Sequence, residues 1–223
     1  LKHMTYFTWR WMPHYRTMHD LIEEGVLGSL FHCEFTFLMG GGRSKAYQWR
    51  FDSKRANGVV GDSGSHVFDL ARYLVGDVAK VNAQLASHVQ REGTNSGAND
   101  SAMILAEFAN GAQGTFQLSA VARADDPFFE QKVTLHGEAG SLVAELKMGS
   151  TLKLQLAKGD DVMQPFITQA IPMFMQQNVG NRLFVEAILE DKALTPSFYE
   201  GWKAQQVIDA TFASHEKKQW ISL

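Results

Sequence analysis

Asp62, His66 and Asp69 place two carboxylates and an imidazole at positions i, i+4 and i+7. On an α-helix that spacing stacks all three on one face. A carboxylate beside an imidazole can move a proton on and off a hydroxyl oxygen near neutral pH, where histidine titrates. The trio lies in Asp62-Ser63-Gly64-Ser65-His66-Val67-Phe68-Asp69, after a glycine-spaced loop (Gly58-Val59-Val60-Gly61) and before an apolar run closed by Gly76. This pattern predicts a helix over Gly64–Val75 with its chemistry in the first turns. Two effects on His66 oppose each other there: the helix N-terminus disfavours imidazolium and Asp62 favours it.

Other side chains could join that site. Arg10 has the reach either to clamp a substrate or cofactor oxygen or to pair with an acidic neighbour. Asp69 is open to two roles, a substrate contact or a bond to nearby backbone or to an arginine such as Arg72. Trp9, Trp11, Tyr47 and Trp49 could stack on the apolar face of a sugar or pack in the core. Tyr47 and Trp49 are the candidates on the loop entering the motif. A metal bound by Asp62, His66 and Asp69 would need a further ligand, and His14 and His19 read as lying on a solvated helix.

The elements that must position these residues follow from the patterning. The 223 residues suffice for one sizeable core, with 45% hydrophobic and 20% charged residues. The net charge of −3 and the lack of a basic block give no nucleic-acid footprint. No apolar run approaches the roughly 20 residues of a membrane span. Cys33 is the only cysteine, so an internal disulfide or thiolate cluster is excluded, and it reads as a half-buried strand residue. Met4–Arg10 is predicted as a strand, as though other sequence precedes it. Pro13 opens a helix on which Tyr15, Met18, Leu21 and Ile22 share a face. Leu30–Leu38 is the next strand, followed by the Gly40-Gly41-Gly42 loop.

Beyond Asp77, strands are predicted at Val78–Val89, Ser101–Phe108, Ala112–Val121, Gln131–His136, Ser141–Glu145 and Leu152–Ala157, separated by hairpin signals such as Asn110-Gly111. Two helices close the chain, at Asn181–Leu189 and Tyr199–Glu216. The implied fold is α+β, a large open and mainly antiparallel sheet with helices packed on one face, in one domain over residues 1–223. Met103-Ile104-Leu105-Ala106 is apolar at consecutive positions. The second sheet face is therefore expected to be buried in a homodimer or homotetramer through the β-sheet.

Trp49-Arg50-Phe51-Asp52, the glycine-spaced approach and the Asp62–Asp69 run together resemble the D-x-G-x-H-x-x-D motif of Gfo/Idh/MocA oxidoreductases. Phe7–Pro13 resembles that family's strand with an arginine shortly before a proline, and Leu21–Gly28 its helix exit. Phe198–Ala210 and Trp220–Leu223 resemble its final helix and terminal strand. The resemblance implies an NAD- or NADP-dependent enzyme acting on a sugar or polyol. It further implies that His66 takes the hydroxyl proton as hydride leaves the same carbon, with Asp62 orienting or polarising it. Arg123, in Ala122-Arg123-Ala124-Asp125-Asp126, falls where the family often places a substrate-contacting loop.

The sequence also departs from that family. It has no G-x-G-x-x-G turn; Gly40-Gly41-Gly42-Arg43-Ser44-Lys45 has the wrong spacing for one. The family's Glu-Lys-Pro element, which carries a catalytic lysine, is absent too. The expectation is a C-terminal, substrate-binding domain whose Rossmann partner and dinucleotide lie outside these residues, inactive alone and cytoplasmic. Two alternatives stand beside it: a non-catalytic ligand-binding or oligomerisation module of the same fold, and a metal-dependent isomerase or hydrolase.

Overall fold

A computed structural model describes residues 1–94, 97–123, 128–147, 152–169 and 177–223. The strands are β1 (Leu30–Met39), β2 (Val78–Ala86), β3 (Ser101–Phe108), β4 (Gln113–Ser119), β5 (Phe129–Gly137), β6 (Gly140–Lys147), β7 (Leu152–Lys158), β8 (Gln164–Gln169) and β9 (Ile221–Ser222). They form one sheet in the order β8-β7-β6-β5-β1-β4-β3-β2-β9. Every pairing is antiparallel except β1 with β4, where Phe35 faces Phe116 in parallel register. The chain leaves β1 through helices and returns by the β2–β3–β4 meander, a crossover long enough to bring two strands parallel.

The helices are α1 (Pro13–Glu23), α2 (Gly58–Gly61), α3 (Ser63–Leu74), α4 (Gln177–Leu189) and α5 (Phe198–Lys217). α1 packs on β6 and β7, α3 on β1, and α5 on β2. Strand alternation explains which face they cover. On β1, Cys33, Phe35 and Phe37 are buried while His32 and Glu34 are exposed. Phe35 stacks on Phe116 at 5.2 Å, and Phe68 of α3 meets Phe116 edge-on at 5.2 Å. The α+β architecture with helices on one face is thus set by a single aromatic and aliphatic layer between sheet and helices.

Several expectations need correction. Met4–Arg10 is not a strand: its backbone closes on itself, Phe7 N–H to Thr5 O and Thr8 N–H to Tyr6 O, and a 3-10 turn follows at Thr8–Trp11. Its aromatic residues serve different neighbours instead of alternating on a sheet. Cys33 is fully buried rather than half-buried, and burial pushes its thiol up to about 12. β8 was not anticipated from the sequence. β2 stops at Ala86, short of Val89, because the Asp100 carboxylate takes the backbone N–H groups of His88 and Val89 and turns the chain. On the open sheet face Met103 and Leu105 are 66% and 50% exposed; Leu105 lies among His32, Glu34, Gln113 and Thr115, and Met103 opposite Gln117 and Gln84. That face is mixed rather than uniformly apolar.

His14 is the other correction. It is 2% exposed, against the Tyr15 ring at 3.9 Å, because it shares the buried stripe of Met18 four residues on. His19 instead stacks on Tyr73 at 4.1 Å. Burial holds His14 down from 6.5 to about 3. The unfolded chain gains a proton there below 6.5, whereas the folded chain does not until about 3. Stability should therefore fall as pH drops through that window, by about 1.4 kcal/mol per unit. Urea unfolding of wild type and His14→Gln from pH 7 to pH 4 checks this. The wild type is expected to lose more, and parallel curves would contradict the assignment.

Candidate active site

The turn that delivers the motif is built around Asn99. Gly58 has φ +61°, and a Cβ on it would stand 2.1 Å from the Asn99 carbonyl oxygen, so only glycine fits. The Val59 N–H donates to that oxygen (2.9 Å), the Val60 N–H to Asn99 Oδ1 (3.0 Å), and Asn99 Nδ2 to the Asn57 carbonyl (2.9 Å). Donors that a helix start leaves unpaired are satisfied in this way, and α2 is fixed for one turn. Asp62, at φ −76° and ψ −88°, then breaks the helix and begins α3.

Asp62 is open to solvent at that junction. Its Oδ1 accepts from Arg50 Nε at 3.2 Å, and the Arg50 guanidinium lies 4.7 Å from the centre of the Trp49 ring. Asp62 and Arg50 line a cavity of about 250 Å³ with Ser63, Gln48, Gly42 and Phe51. A larger hollow of about 480 Å³ lies on the open sheet face, between His32, Glu34, Lys80 and Trp220. It contains neither Asp62 nor His66, whereas the smaller cavity is lined by Asp62 but not by His66, which stands one turn away.

His66 stands one turn further along α3. Trp9 stacks on its ring at 5.2 Å and Phe7 meets it edge-on at 5.5 Å, yet the residue stays partly exposed. Its Nδ1 is buried with no hydrogen-bond partner among the described residues, so exchange with a substrate oxygen would run through Nε2. Burial lowers its pKa from 6.5, and the Asp62 charge opposes that without reversing it. The result is a neutral imidazole at pH 7, able to accept a proton.

Arg10 and Asp69 are brought together, and to each other. Arg10 Nε and Nη2 donate to the two Asp69 oxygens at 2.7 and 2.6 Å. The Asp69 side chain is 1% exposed and the Arg10 guanidinium lies over Tyr73 at 4.9 Å. Asp69 takes an arginine rather than an open position, but that arginine is Arg10; Arg72 pairs with Asp77. Burial pushes the Asp69 carboxyl up to about 6 against the opposing bond and charge of Arg10. The bidentate geometry keeps it ionised at neutral pH. Asp69 therefore shares a helix face with Asp62 and His66 but lies beneath the site.

Tyr47 and Trp49 are half-exposed and flank Gln48, which lines the cavity; Tyr47 donates to Asp52 Oδ2 at 3.1 Å. Arg123 is exposed, just beyond Ala122, whose N–H donates to the Met39 carbonyl at the same end of the sheet; residues 124–127 are outside the described set. Among the described residues no group of three or more His, Cys, Asp or Glu side chains is placed to hold a metal ion. The glycine triplet is a packing device. A Cβ on Gly42 would meet Ala120 at 2.9 Å and Phe51 at 3.0 Å, so its space is taken by this chain and leaves no phosphate cradle.

A sequence profile described as the GFO/IDH/MocA C-terminal domain matches residues 15–143. The chain belongs to the GFO/IDH/MocA family. Levoglucosan dehydrogenase of Pseudarthrobacter phenanthrenivorans is 25% identical and aligns over 99% of the chain and 66% of its own length. Inositol 2-dehydrogenase of Rhizobium meliloti is also 25% identical, over 100% of the chain and 65% of its own length. Among solved structures, a levoglucosan dehydrogenase complex with NADH has a TM-score of 0.88 at 26% identity, covering 100% of the chain and 66% of that protein. The GFO/IDH/MocA chain thus spans just under two thirds of the length of these relatives.

Sequence reading missed one part of the site in this family member. Arg50 links the Trp49 ring to Asp62; its only sequence signal is its position inside Trp49-Arg50-Phe51-Asp52. Of the two roles open to Trp9, it takes packing, against His66 and against Phe37 at 5.1 Å.

Proposed function

We propose that residues 1–223 form the substrate side of an NAD(P)-dependent oxidoreductase that interconverts a hydroxyl and a carbonyl on a sugar or polyol. The observation that carries this reading is a partly exposed His66 one turn from Asp62, whose carboxylate opens onto a cavity. Alcohol oxidation needs a base at the oxygen and an electron sink at the carbon. His66 takes the hydroxyl proton at Nε2, and Asp62 favours the imidazolium that forms. Arg50, Gln48 and Ser63 offer hydroxyl-binding groups in the cavity, and Tyr47 and Trp49 offer aromatic faces on either side of Gln48. Arg123 stands at the same end of the sheet. Arg10 and Asp69 support the site from below.

The described residues do not fit a dinucleotide grip, since the glycine triplet is filled from within. A nicotinamide dinucleotide, NAD or NADP, would supply the hydride acceptor from a segment outside these residues, and a lysine there would complete the proton-handling group. The names of the relatives support the substrate class: levoglucosan, inositol and D-apiose are all polyhydroxylated. Met103 and Leu105 support a homodimer or homotetramer through the open sheet face.

The test is nicotinamide absorbance with the full-length protein, both dinucleotides and a panel of sugars and polyols. Turnover of at least one is expected, with none from residues 1–223 alone, and light scattering on the same samples reads the assembly. No turnover of any polyol, or turnover by the fragment alone, would overturn the reading.

A further inference from the structure

We propose that Arg91, held in a buried ion pair with Asp100, is a positioning residue that sets the wall of the Asp62 cavity and hence the fit of the polyol; this rests on the substrate reading of that cavity. The Arg91 and Asp100 side chains are 1% and 0% exposed, with Arg91 Nη1 at 3.4 Å from Asp100 Oδ2. Arg91 Nη1 also donates to the Val89 carbonyl at 3.1 Å, and Nη2 donates to the Gly42 carbonyl. The guanidinium lies over Phe51, 3.9 Å from the ring centre.

These contacts close a circuit. The Gly42 N–H donates to the Ala120 carbonyl at 2.8 Å, and the Ala120 N–H donates to the Asp100 carbonyl at 2.8 Å. Asp100 then holds Arg91, which returns to Gly42. Three members or dependants of that circuit, Gly42, Ala120 and Phe51, line the cavity that Asp62 opens onto. Arg91 and Asp100 do not line it, so they act through the wall. A buried ion pair is a poor way to gain stability, because an apolar pair of similar volume often does as well. Its particular use is direction. A planar guanidinium can donate toward Asp100, Val89 and Gly42 while its face covers an aromatic ring, which a lysine ammonium cannot. The wall so fixed includes the glycine whose missing Cβ lets Phe51 and Ala120 close up.

The experiment uses the full-length protein with its best polyol and dinucleotide, comparing wild type, Arg91→Lys and the double variant Arg91→Met/Asp100→Asn. Arg91→Lys keeps a positive charge beside Asp100 but loses the simultaneous hold on Gly42 and Phe51. The expected result is KM for the polyol raised about tenfold with kcat within about threefold, since a displaced wall loses contacts made equally to the substrate and to the transition state. The acid limb of the pH–rate profile should not move, because Asp62 and His66 are untouched. The double variant, where folded by circular dichroism, should show the same KM rise.

An unchanged KM in folded Arg91→Lys overturns the proposal, whatever the double variant does. A loss of folding in Arg91→Lys overturns it as well, since the pair would then be a folding element. A fall in kcat at constant KM has the same meaning. His66→Ala, measured in parallel, separates the two layers: a dead His66→Ala with normal KM in Arg91→Lys sinks only this inference. A fully active His66→Ala sinks the reading beneath it.

Discussion

Replacing His66 with alanine in the full-length protein should cut kcat for polyol oxidation by about 10²–10⁴-fold, the range of a lost general base. KM should stay within a few-fold, because the groups lining the cavity are Asp62, Arg50, Gln48 and Ser63 rather than the imidazole. The loss should appear in kcat and kcat/KM together, the pattern of an interaction made mainly in the transition state. The Trp9 and Phe7 rings around His66 remain in the variant, so its thermal stability should change little beside the rate. Steady-state kinetics at saturating dinucleotide reads this directly, and a kcat within twofold of wild type would remove His66 from the chemistry.

The second large effect falls on stability. Asp69→Ala leaves the Arg10 guanidinium, whose side chain is only 12% exposed, without its bidentate partner. Breaking one half of a buried pair costs about 3–5 kcal/mol, because the remaining charge is stranded. For a chain of this size that corresponds to a melting point about 10 °C lower. Arg10→Met/Asp69→Leu removes both charges and should recover much of the loss, which separates the stranded charge from the lost contact. Arg10 also anchors the turn carrying Trp9 to α3, so Asp69→Ala should slow turnover as well by loosening the ring that packs on His66. Urea unfolding of the three variants and wild type checks this, and an Asp69→Ala loss below 1 kcal/mol would show the pair to be marginal.

Local signals in the sequence located the centre of the site. The Asp62–His66–Asp69 spacing and the glycines before it predicted a helix over Gly64–Val75, and α3 runs Ser63–Leu74. β3 falls where strand-like composition bounded by turn signals placed it, at Ser101–Phe108. Turn chemistry at Asn110-Gly111 likewise separates β3 from β4. These are short-range patterns, in which period and punctuation suffice.

What stayed hidden depends on distant partners. Arg10 and Asp69 are 59 positions apart, and nothing local chose that pairing over Arg72. Met4–Arg10 has strand composition but no ladder partner among the described residues, and Phe7 and Trp9 settle around His66. His14 reads as a polar residue until Met18 fixes which face of α1 is buried. Arg91 carries no motif at all; its place behind Gly42 and Phe51 follows only from the turn that Asp100 imposes after β2.

The pH dependence of kcat/KM for polyol oxidation, in wild type and Asp62→Asn, tests the central claim most directly. Oxidation needs a neutral imidazole, so the rate should fall on the acid side as His66 gains a proton. Burial lowers that pKa, so the acid limb should lie below 6.5. The Asp62 charge raises it, so Asp62→Asn should move the limb to still lower pH. An acid limb at or above 6.5, or one that Asp62→Asn leaves in place, would contradict His66 as the group that takes the proton.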